Sequence, residues 1–299
     1  MTVPHGTILG GLSTLPSLEQ GLRAYRDVLG LELVEEGELA ADLAASWGAP
    51  ASSGARYAVL QPKSGAACWF RLVEQPDHPD FSPTRTYGWA AFETTVEDVW
   101  QWPDALPRDL FEIVGPPKEL ENIEPTFIPM QALGPGHEMI YLNQVLGNLP
   151  DTDLPKAACP VDKIFIVVLA TPDRNRTISW YTDKLGLMRG ADYTLPYSMI
   201  NEAFGLSPET QTTITMVSHE RMPIVEVDDY PREASLRSRH DGMLPPGNAL
   251  VTLAVENIGA CKANWLTAPT MREGALYQGR RAATALGDAG ELIEVVEVG

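Results

Sequence analysis

One segment of this chain occurs twice, at a constant offset of 156 residues (Tyr25 to Tyr181). Residues 22–37 read LRAYRDVLGLELVEEG and residues 178–193 read ISWYTDKLGLMRGADY. A strand-like apolar run precedes each copy, at Thr7–Ser13 and at Lys163–Leu169. The identical positions are Tyr25 and Tyr181, Asp27 and Asp183, Leu29 and Leu185, Gly30 and Gly186, and Leu31 and Leu187. An internal repeat constrains the fold strongly, because each copy must form the same supersecondary unit.

Each copy predicts a strand, an amphipathic helix and a returning strand. Ser17 and Asp173 are the expected N-caps of the two helices. Gly30 and Gly186 stand where a left-handed residue commonly ends a helix. Two alternating apolar runs then predict a hairpin in each half. The strands expected after each helix are Leu31–Glu36, Arg56–Gln61, Cys68–Glu74, Leu187–Leu195, Thr212–Ser218 and Pro223–Asp229.

The remainder of each half repeats this plan once more. The additional strands are Tyr87–Thr94, Phe111–Val114, Thr126–Ala132, Met139–Val145, Ala249–Val255, Tyr277–Leu286 and Leu292–Val298. The additional helices of this plan are Val96–Leu106 and Ile258–Leu266. Two further helices, Glu38–Trp47 and Ser198–Gly205, are expected as insertions after the second strand of their units. The sequence therefore predicts an α+β fold of four βαβββ units arranged as two pairs. The expected domains are 1–147 and 161–299, each with two units, joined by the Pro-rich linker 148–160.

Charge and composition limit the classes of partner. The net charge of −18 argues against nucleic acid and anionic membranes, which both require a basic surface. No run of about 18 apolar residues predicts a membrane span, and the N-terminus lacks the features of a signal peptide. Cys68, Cys159 and Cys261 are odd in number and widely spaced, which favours a reducing cytoplasm. The expected partner is a small molecule, and a homodimer is compatible with the sequence.

The repeated pattern resembles the vicinal oxygen chelate superfamily. That group includes glyoxalase I, the bleomycin-resistance proteins, methylmalonyl-CoA epimerase and the extradiol ring-cleaving dioxygenases. The residues that carry the resemblance are Ala24, Tyr25 and Leu29–Leu31, Trp180, Tyr181 and Leu185–Leu187, and the closing segment Gly290–Val295. The resemblance implies that two βαβββ units curl into a half-open barrel around a cup. Two such domains in about 300 residues is the layout of the extradiol dioxygenases, although the fold alone does not fix a reaction.

Metal-using members of this superfamily hold a divalent ion with His, Gln or Glu from the first and last strands of paired units. In the expected second domain, Glu294 matches the acidic ligand and Glu226 occupies the parallel position in the preceding unit. Leu250 stands where a His is needed. Either Lys163 or Ile166 fills the remaining position, depending on the strand register, and neither side chain is a suitable ligand.

The expected first domain is poorer in metal ligands. Tyr141, Trp89 and Arg71 occupy three of its four ligand positions, and Gly10 or Thr7 the fourth. No metal is therefore expected there, and the cofactor prediction is none. A weakly held divalent ion between Glu226 and Glu294 is the alternative left open. Because the ligand set lacks imidazole, an extradiol dioxygenase is the less favoured function.

Three residues of the expected second cup are the predicted catalytic set. If Lys163, Glu226 and Glu294 share that cup, the ammonium can polarise a carbonyl while a carboxylate acts as general base. This would support isomerase or lyase chemistry on a small hydrophobic or aromatic oxygen-bearing metabolite. The same residues could instead form a buried ion pair with no catalytic role. The alternative function is a small-molecule binding protein of the bleomycin-resistance type. The predicted substrate-binding residues are Arg71, Trp89, Tyr141, Tyr197 and His219.

Overall fold

The computed structural model describes residues 3–119 and 126–299, and its strands form two eight-stranded β-sheets. The strands of the first two units are β1 Ile8–Leu15, β2 Glu32–Glu38, β3 Arg56–Gln61, β4 Trp69–Glu74, β5 Gly88–Val96, β6 Glu112–Gly115, β7 Phe127–Leu133 and β8 Met139–Val145. Those of the last two units are β9 Val161–Thr171, β10 Met188–Pro196, β11 Gln211–His219, β12 Met222–Asp229, β13 Gly247–Val255, β14 Thr270–Arg272, β15 Arg280–Leu286 and β16 Leu292–Glu297. The predicted division into four units is confirmed, with four strands in each unit.

Helices follow the first strand of each unit or cover a cup. They are α1 Leu18–Leu22, α2 Ala41–Ser46, α3 Trp102–Ala105, α4 Arg174–Leu185 and α5 Ser198–Phe204. Helix α1 continues as a π-helical turn, Arg23–Val28. The predicted N-caps are correct, because the Ser17 hydroxyl accepts from the Gln20 amide and the Asp173 carboxylate from the Arg176 amide. Gly186 ends α4 with φ +72°, a conformation that costs a side-chain-bearing residue energy.

One predicted helix is wrong. Residues 258–266 were expected to be helical, but the structure has only a 3₁₀ turn, Ile258–Ala260, followed by irregular chain. The Asn257 side chain accepts a hydrogen bond from the Gly259 amide at 2.7 Å, which supports a tight local turn. Asn and Gly both favour such turns over helix interiors. The short strand β14 in this unit was not predicted.

The two sheets pair the units differently from the expectation. The sheet order β14-β15-β16-β13-β1-β4-β3-β2 joins the fourth unit to the first, and we call this the terminal sheet. The order β10-β11-β12-β9-β5-β8-β7-β6 joins the third unit to the second, and we call this the central sheet. The expectation that units from the same half share a cup is therefore wrong. The residue ranges proposed for the two domains remain a prediction.

The first strand of every unit explains why this pairing could not be recognised in the sequence. Strands β1, β5 and β13 are buried along their whole length, and β9 nearly so. Each therefore needs a neighbour on both edges and on both faces. β1 pairs with β13 and β5 pairs with β9, both antiparallel. Any two of these four strands have similar apolar patterns, so the sequence does not distinguish one pairing from another.

Two equivalent hydrogen bonds link the sheets through the repeated tyrosines. Tyr25, from the first unit, donates to Glu138 Oε1 in the second unit at 2.8 Å. Tyr181, from the third unit, donates to Glu291 Oε1 in the fourth unit at the same distance. Each tyrosine thus reaches from one sheet to the segment that leads into the last strand of its neighbour in the other sheet. Within the described residues, no helix is long and apolar enough to span a membrane.

Candidate functional site

Each curled sheet encloses a concave face, which we call the terminal cup and the central cup after their sheets. The terminal cup contains a pocket of about 330 Å³. Its walls are mostly apolar and aromatic, its base holds a guanidinium, and acidic side chains stand at its edge. The apolar and aromatic lining residues include Leu43, Trp47, Tyr57, Val73 and Tyr277. The charged lining residues are Glu35, Glu38, Asp42, Arg71, Arg272 and Glu273. A volume of this size is at the small end of the range for ligand pockets.

Beneath this pocket, Glu294 accepts hydrogen bonds from four side chains. Trp47 Nε1 and Tyr277 OH donate to its Oε1 at 2.8 and 2.9 Å. Thr252 Oγ1 and Arg71 Nη1 approach its Oε2 at 2.6 and 3.0 Å. The Glu294 side chain is 1% exposed, so its charge is balanced by Arg71 rather than by water. Because both of its oxygens already accept from these four donors, Glu294 is poorly placed to take a proton from a substrate.

Arg71 brings the first unit into contact with the fourth. It lies in β4 and reaches Glu294 in β16, Thr252 in β13 and the Tyr277 hydroxyl at 3.1 Å. Its guanidinium carbon also lies 5.4 Å from the centre of the Trp47 ring. The Arg71 Nε has no hydrogen-bond partner within the described residues, although the side chain is only 4% exposed and lines the pocket. The base of the pocket therefore offers one buried donor to a ligand.

The terminal cup does not fit the divalent metal that the fold resemblance implies. Arg71 and Glu294 occupy equivalent positions in β4 and β16, where metal-using members would place ligands. The guanidinium has no lone pair to donate, and both Glu294 oxygens already accept hydrogen bonds. Across residues 3–119 and 126–299, no group of three or more His, Cys, Asp or Glu side chains is arranged to hold a metal ion. Glu226 and Glu294 also lie in different cups, so a shared ion between them is ruled out.

Helix α2 covers the terminal cup. Leu39, Leu43 and Trp47 lie four residues apart along this segment, so they form one face, and all three line the pocket. Trp47 is buried and its indole N–H reaches Glu294, whereas Leu43 is partly exposed. The prediction of an inserted helix here is confirmed, but no local pattern predicted that Trp47 would reach Glu294.

The central cup instead contains three carboxylates that form no ion pair with any residue the structure describes. Glu93 and Asp228 are buried, and Glu226 is partly exposed. Burial raises the pKa of Glu226 to about 7, and burial together with the neighbouring carboxylates raises the pKa of Glu93 and Asp228 well above their usual range. Asn143 donates a hydrogen bond to Glu93. Glu93 and Asp228 are therefore held mainly in their protonated form, whereas Glu226 is about half protonated near neutral pH.

Helix α5 and three tyrosines fill much of the central cup. Tyr141 and Tyr197 share a hydrogen bond of 2.8 Å, and Tyr197 OH lies 3.5 Å from Glu226 Oε1. Met199 of α5 lies 3.3 Å from the Tyr141 hydroxyl through its sulfur. The buried Tyr230 hydroxyl has no partner in the described part of the chain. Through Tyr197 and Met199, the segment 193–200 covers this cup.

The structure separates the predicted catalytic residues. Glu294 lies in the terminal cup and Glu226 in the central cup. Ile166 pairs with Glu93 across β9 and β5, so the register places Ile166, not Lys163, at the central cup. Lys163 lies near the start of β9, where its charge lowers the pKa of Cys68, although burial raises that pKa overall to about 12. The expectation that Lys163, Glu226 and Glu294 share one cup is wrong.

The predicted substrate-binding residues are also divided. Arg71 lines the terminal cup, and Tyr141 and Tyr197 lie in the central cup. Trp89 belongs to the core between the sheets, where its indole N–H donates to the Leu292 carbonyl at 2.8 Å. The His219 ring lies 5.3 Å from the ring of His5, against the N-terminal segment. Trp89 and His219 therefore lie outside both cups.

Sequence reasoning missed several residues of both cups. They are Trp47, Thr252 and Tyr277 in the terminal cup, and Glu93, Asn143, Asp228 and Tyr230 in the central cup. Asp228 follows Glu226 by two residues, and this strand spacing puts both carboxylates on one face. The alternation was therefore a usable signal for Asp228. Trp47 and Tyr277 come from segments outside the paired first and last strands, so the repeat comparison could not identify them.

Solved structures of other proteins have a similar fold at low sequence identity. Glyoxalase I from Zea mays is 15% identical, matches over 97% of this chain and 92% of its own, and has a TM-score of 0.60. A variant of the same maize enzyme is 16% identical with equal coverage and a TM-score of 0.63. A candidate dioxygenase from Bacillus subtilis is 11% identical over 98% of this chain and 86% of its own, with a TM-score of 0.60.

These likenesses concern the fold, because the identities are too low to carry a reaction across. No protein-family model matches the chain, and no curated protein matches its sequence. The long coverage of both chains means that all four units take part in the likeness. The chain therefore shares its fold with the maize enzyme and the Bacillus subtilis protein over nearly its whole length.

Proposed function

We propose that this protein binds a small apolar or aromatic molecule carrying an oxygen atom, and that it does so in the terminal cup. The observation that carries the proposal is the pocket of about 330 Å³ above the Arg71–Glu294 pair. Its apolar and aromatic walls favour a hydrophobic body, and the buried Arg71 Nε favours an acceptor oxygen at the base.

Binding without turnover is favoured over the acid–base chemistry expected from the sequence. Glu294 was expected to act as a base, but hydrogen bonds from four side chains, Arg71 among them, occupy both of its oxygens beneath the pocket. Lys163, the expected electrophile, lies elsewhere. The polar groups at the pocket base are thus donors that already hydrogen-bond to Glu294, except for Arg71 Nε. Such a set orients a ligand better than it transfers protons.

A screen of aromatic ketones and alcohols tests this proposal. One- and two-ring compounds should raise the melting temperature of the protein, because a ligand that binds only the folded state stabilises it. Isothermal calorimetry should then give one site per chain. Mass spectrometry should recover each bound compound unchanged after long incubation. Failure of every compound to bind, or conversion of a bound compound, would contradict the proposal.

A blocking variant locates the site. Leu43→Trp places a large ring in the pocket from α2, where the side chain is partly exposed, and should abolish binding. Leu236→Trp is the matched control, because Leu236 is 76% exposed and does not line the pocket. Binding that survives Leu43→Trp but not the control would place the ligand elsewhere.

A second candidate function, acid–base catalysis, is favoured by the central cup. Glu226 is partly exposed, and its pKa of about 7 matches that of a general base working near neutral pH. The Tyr141–Tyr197 pair lies beside it and could polarise a carbonyl. Helix α5 fills much of the remaining space, so this function would require α5 to move.

Deuterium exchange separates the two candidates. If the central cup abstracts protons, the wild type in D₂O should place deuterium next to the carbonyl of a bound ketone. Glu226→Gln should abolish this exchange, whereas Leu43→Trp should leave it intact. No exchange above the rate in buffer would remove the catalytic candidate and leave the binding function.

A further inference from the structure

We infer that the terminal pocket selects an aromatic ligand with an amine at one end and an acceptor oxygen at the other. The inference rests on the proposed binding function and adds the ligand's charge and polarity. It follows from the arrangement of charges along the pocket, from the guanidinium at its base to the carboxylates at its edge.

The positive charges of the pocket are already neutralised. Arg71 at the base pairs with Glu294 at 3.0 Å, and both are buried. Arg272 at the edge pairs with Asp42. An anionic ligand would therefore find no uncompensated cation in the pocket. It would also have to give up its own hydration without a new ion pair.

Three further carboxylates line the same pocket without a cation. Within the described residues, Glu35, Glu38 and Glu273 take part in no ion pair. Glu35 accepts hydrogen bonds from Tyr57 OH and the Ala275 amide, both at 2.6 Å, so its position is fixed. Glu38 and Glu273 are exposed. The edge of the pocket thus carries net negative charge that a ligand cation would balance.

Aromatic walls add to this preference. Tyr57 and Tyr277 line the pocket beside Trp47. Arg71 already lies 5.4 Å from the Trp47 ring centre, which leaves the tyrosines as faces for a second cation. At the base, the unpartnered Arg71 Nε requires an acceptor, and a carbonyl or ether oxygen supplies one without adding charge. The pocket therefore favours a cation at the end of the ligand near its edge and an acceptor oxygen at the end near its base.

Matched triplets of aromatic ketones test this selectivity. Each triplet keeps the ketone and the ring system and ends in a primary amine, its N-acetyl amide or a carboxylate. We expect the amine to bind about tenfold more tightly than the amide, from one or two exposed ion pairs and a cation–π contact, and the carboxylate most weakly. The amine's advantage should shrink at 0.5 M salt, because exposed charges are screened.

A double variant assigns the effect to the pocket edge. Glu38→Gln with Glu273→Gln should reduce the amine's advantage over the amide to less than about threefold. Glu32→Gln is the control, because it removes an exposed charge from the same strand without touching the pocket. Equal loss in the control would attribute the effect to net charge rather than to this site.

Different results would contradict the ligand's charge preference and the binding function itself. If amide or carboxylate members bind as tightly as the amines, the selectivity is overturned while the binding function stands. If no member of any triplet binds, the proposed function itself fails. If amines are preferred but the double variant keeps the preference, the pocket edge is not its source and the inference fails.

Discussion

A buried charge pair defines the terminal cup at the level of single residues. Arg71 is 4% exposed and Glu294 is 1% exposed, so neither charge is hydrated. Their interaction joins strands from opposite ends of the sequence. Removing one partner from such a pair leaves an uncompensated charge in the interior, which is far more costly than replacing both partners.

Glu294→Gln should therefore lower the free energy of unfolding by about 3 kcal/mol, because Arg71 loses its counter-charge. The double variant Arg71→Met with Glu294→Leu should recover part of this loss. Denaturant titration measures both. Glu256→Gln, an exposed residue in the same unit, is the control and should change stability by less than about 0.5 kcal/mol. A Glu294→Gln protein as stable as the wild type would contradict the geometry of the pair.

The central cup predicts a pH dependence with a definite sign. The folded-state pKa of Glu226 is raised from 4.5 to about 7, so the folded protein holds this proton more tightly than the unfolded chain. The resulting stabilisation is complete below pH 4.5 and is lost as the pH rises through 7. Glu226→Gln cannot ionise, so its stability relative to the wild type should increase across that interval.

Chemical denaturation at several pH values between 5 and 8 measures this difference. The exposed Glu209→Gln provides the control and should show a constant difference from the wild type. A Glu226→Gln curve parallel to the wild-type curve would mean that Glu226 ionises as a solvated carboxylate.

The repeated elements are held by the repeated tyrosines. Tyr25 and Tyr181 are buried and each donates to a buried glutamate that leads into a last strand. The second oxygens of Glu138 and Glu291 accept from the amides of Gly136 and Ala289. The repeat that first indicated the fold is therefore also a pair of equivalent links between the two sheets.

Tyr181→Phe should lower stability by about 1–3 kcal/mol, because the Glu291 carboxyl loses a donor in a buried site. Tyr25→Phe should have a similar effect, since its contact with Glu138 has the same geometry. Thermal and denaturant unfolding measure both variants. Tyr193→Phe, at an exposed position in β10, should be neutral. Unequal losses would indicate that the two links are not equivalent.

The sequence predicted local elements well and their long-range pairing poorly. The strand Arg56–Gln61 and the caps Ser17 and Asp173 agree with the structure, because they depend on neighbouring residues. The helix predicted for residues 258–266 is wrong because the Asn257 side chain supports a turn in its place. The register at Lys163 and Ile166 depended on a bulge between β5 and β9, which no local pattern specifies.

At the scale of the molecule, each sheet contains units from both halves of the chain. β1 pairs with β13, and β5 pairs with β9, so both central joins cross residues 148–160. Four similar units allow several pairings, and the choice depends on contacts that only the folded chain makes. The sequence comparison placed Arg71 and Glu294 at ligand positions of different expected domains, and only the topology brings them together.

Separated halves should not fold alone. A fragment ending near residue 155 would expose the edges of β1 and β5 that normally pair with β13 and β9. We expect each half to lack a cooperative unfolding transition and the mixed halves to recover one, as measured by circular dichroism. Two independently cooperative halves would support the domain division expected from the sequence and contradict the interleaved sheets.

Hydrogen exchange, measured with and without the ketone that binds most tightly in the screen, tests most directly whether the ligand binds in the terminal cup. Peptides covering Ala41–Ser46 and residues 271–277 should exchange more slowly when the ligand is bound, because both segments line the pocket. Peptides covering Ser198–Phe204 should be unchanged. Protection confined to Ser198–Phe204 would place the ligand in the central cup and contradict the account.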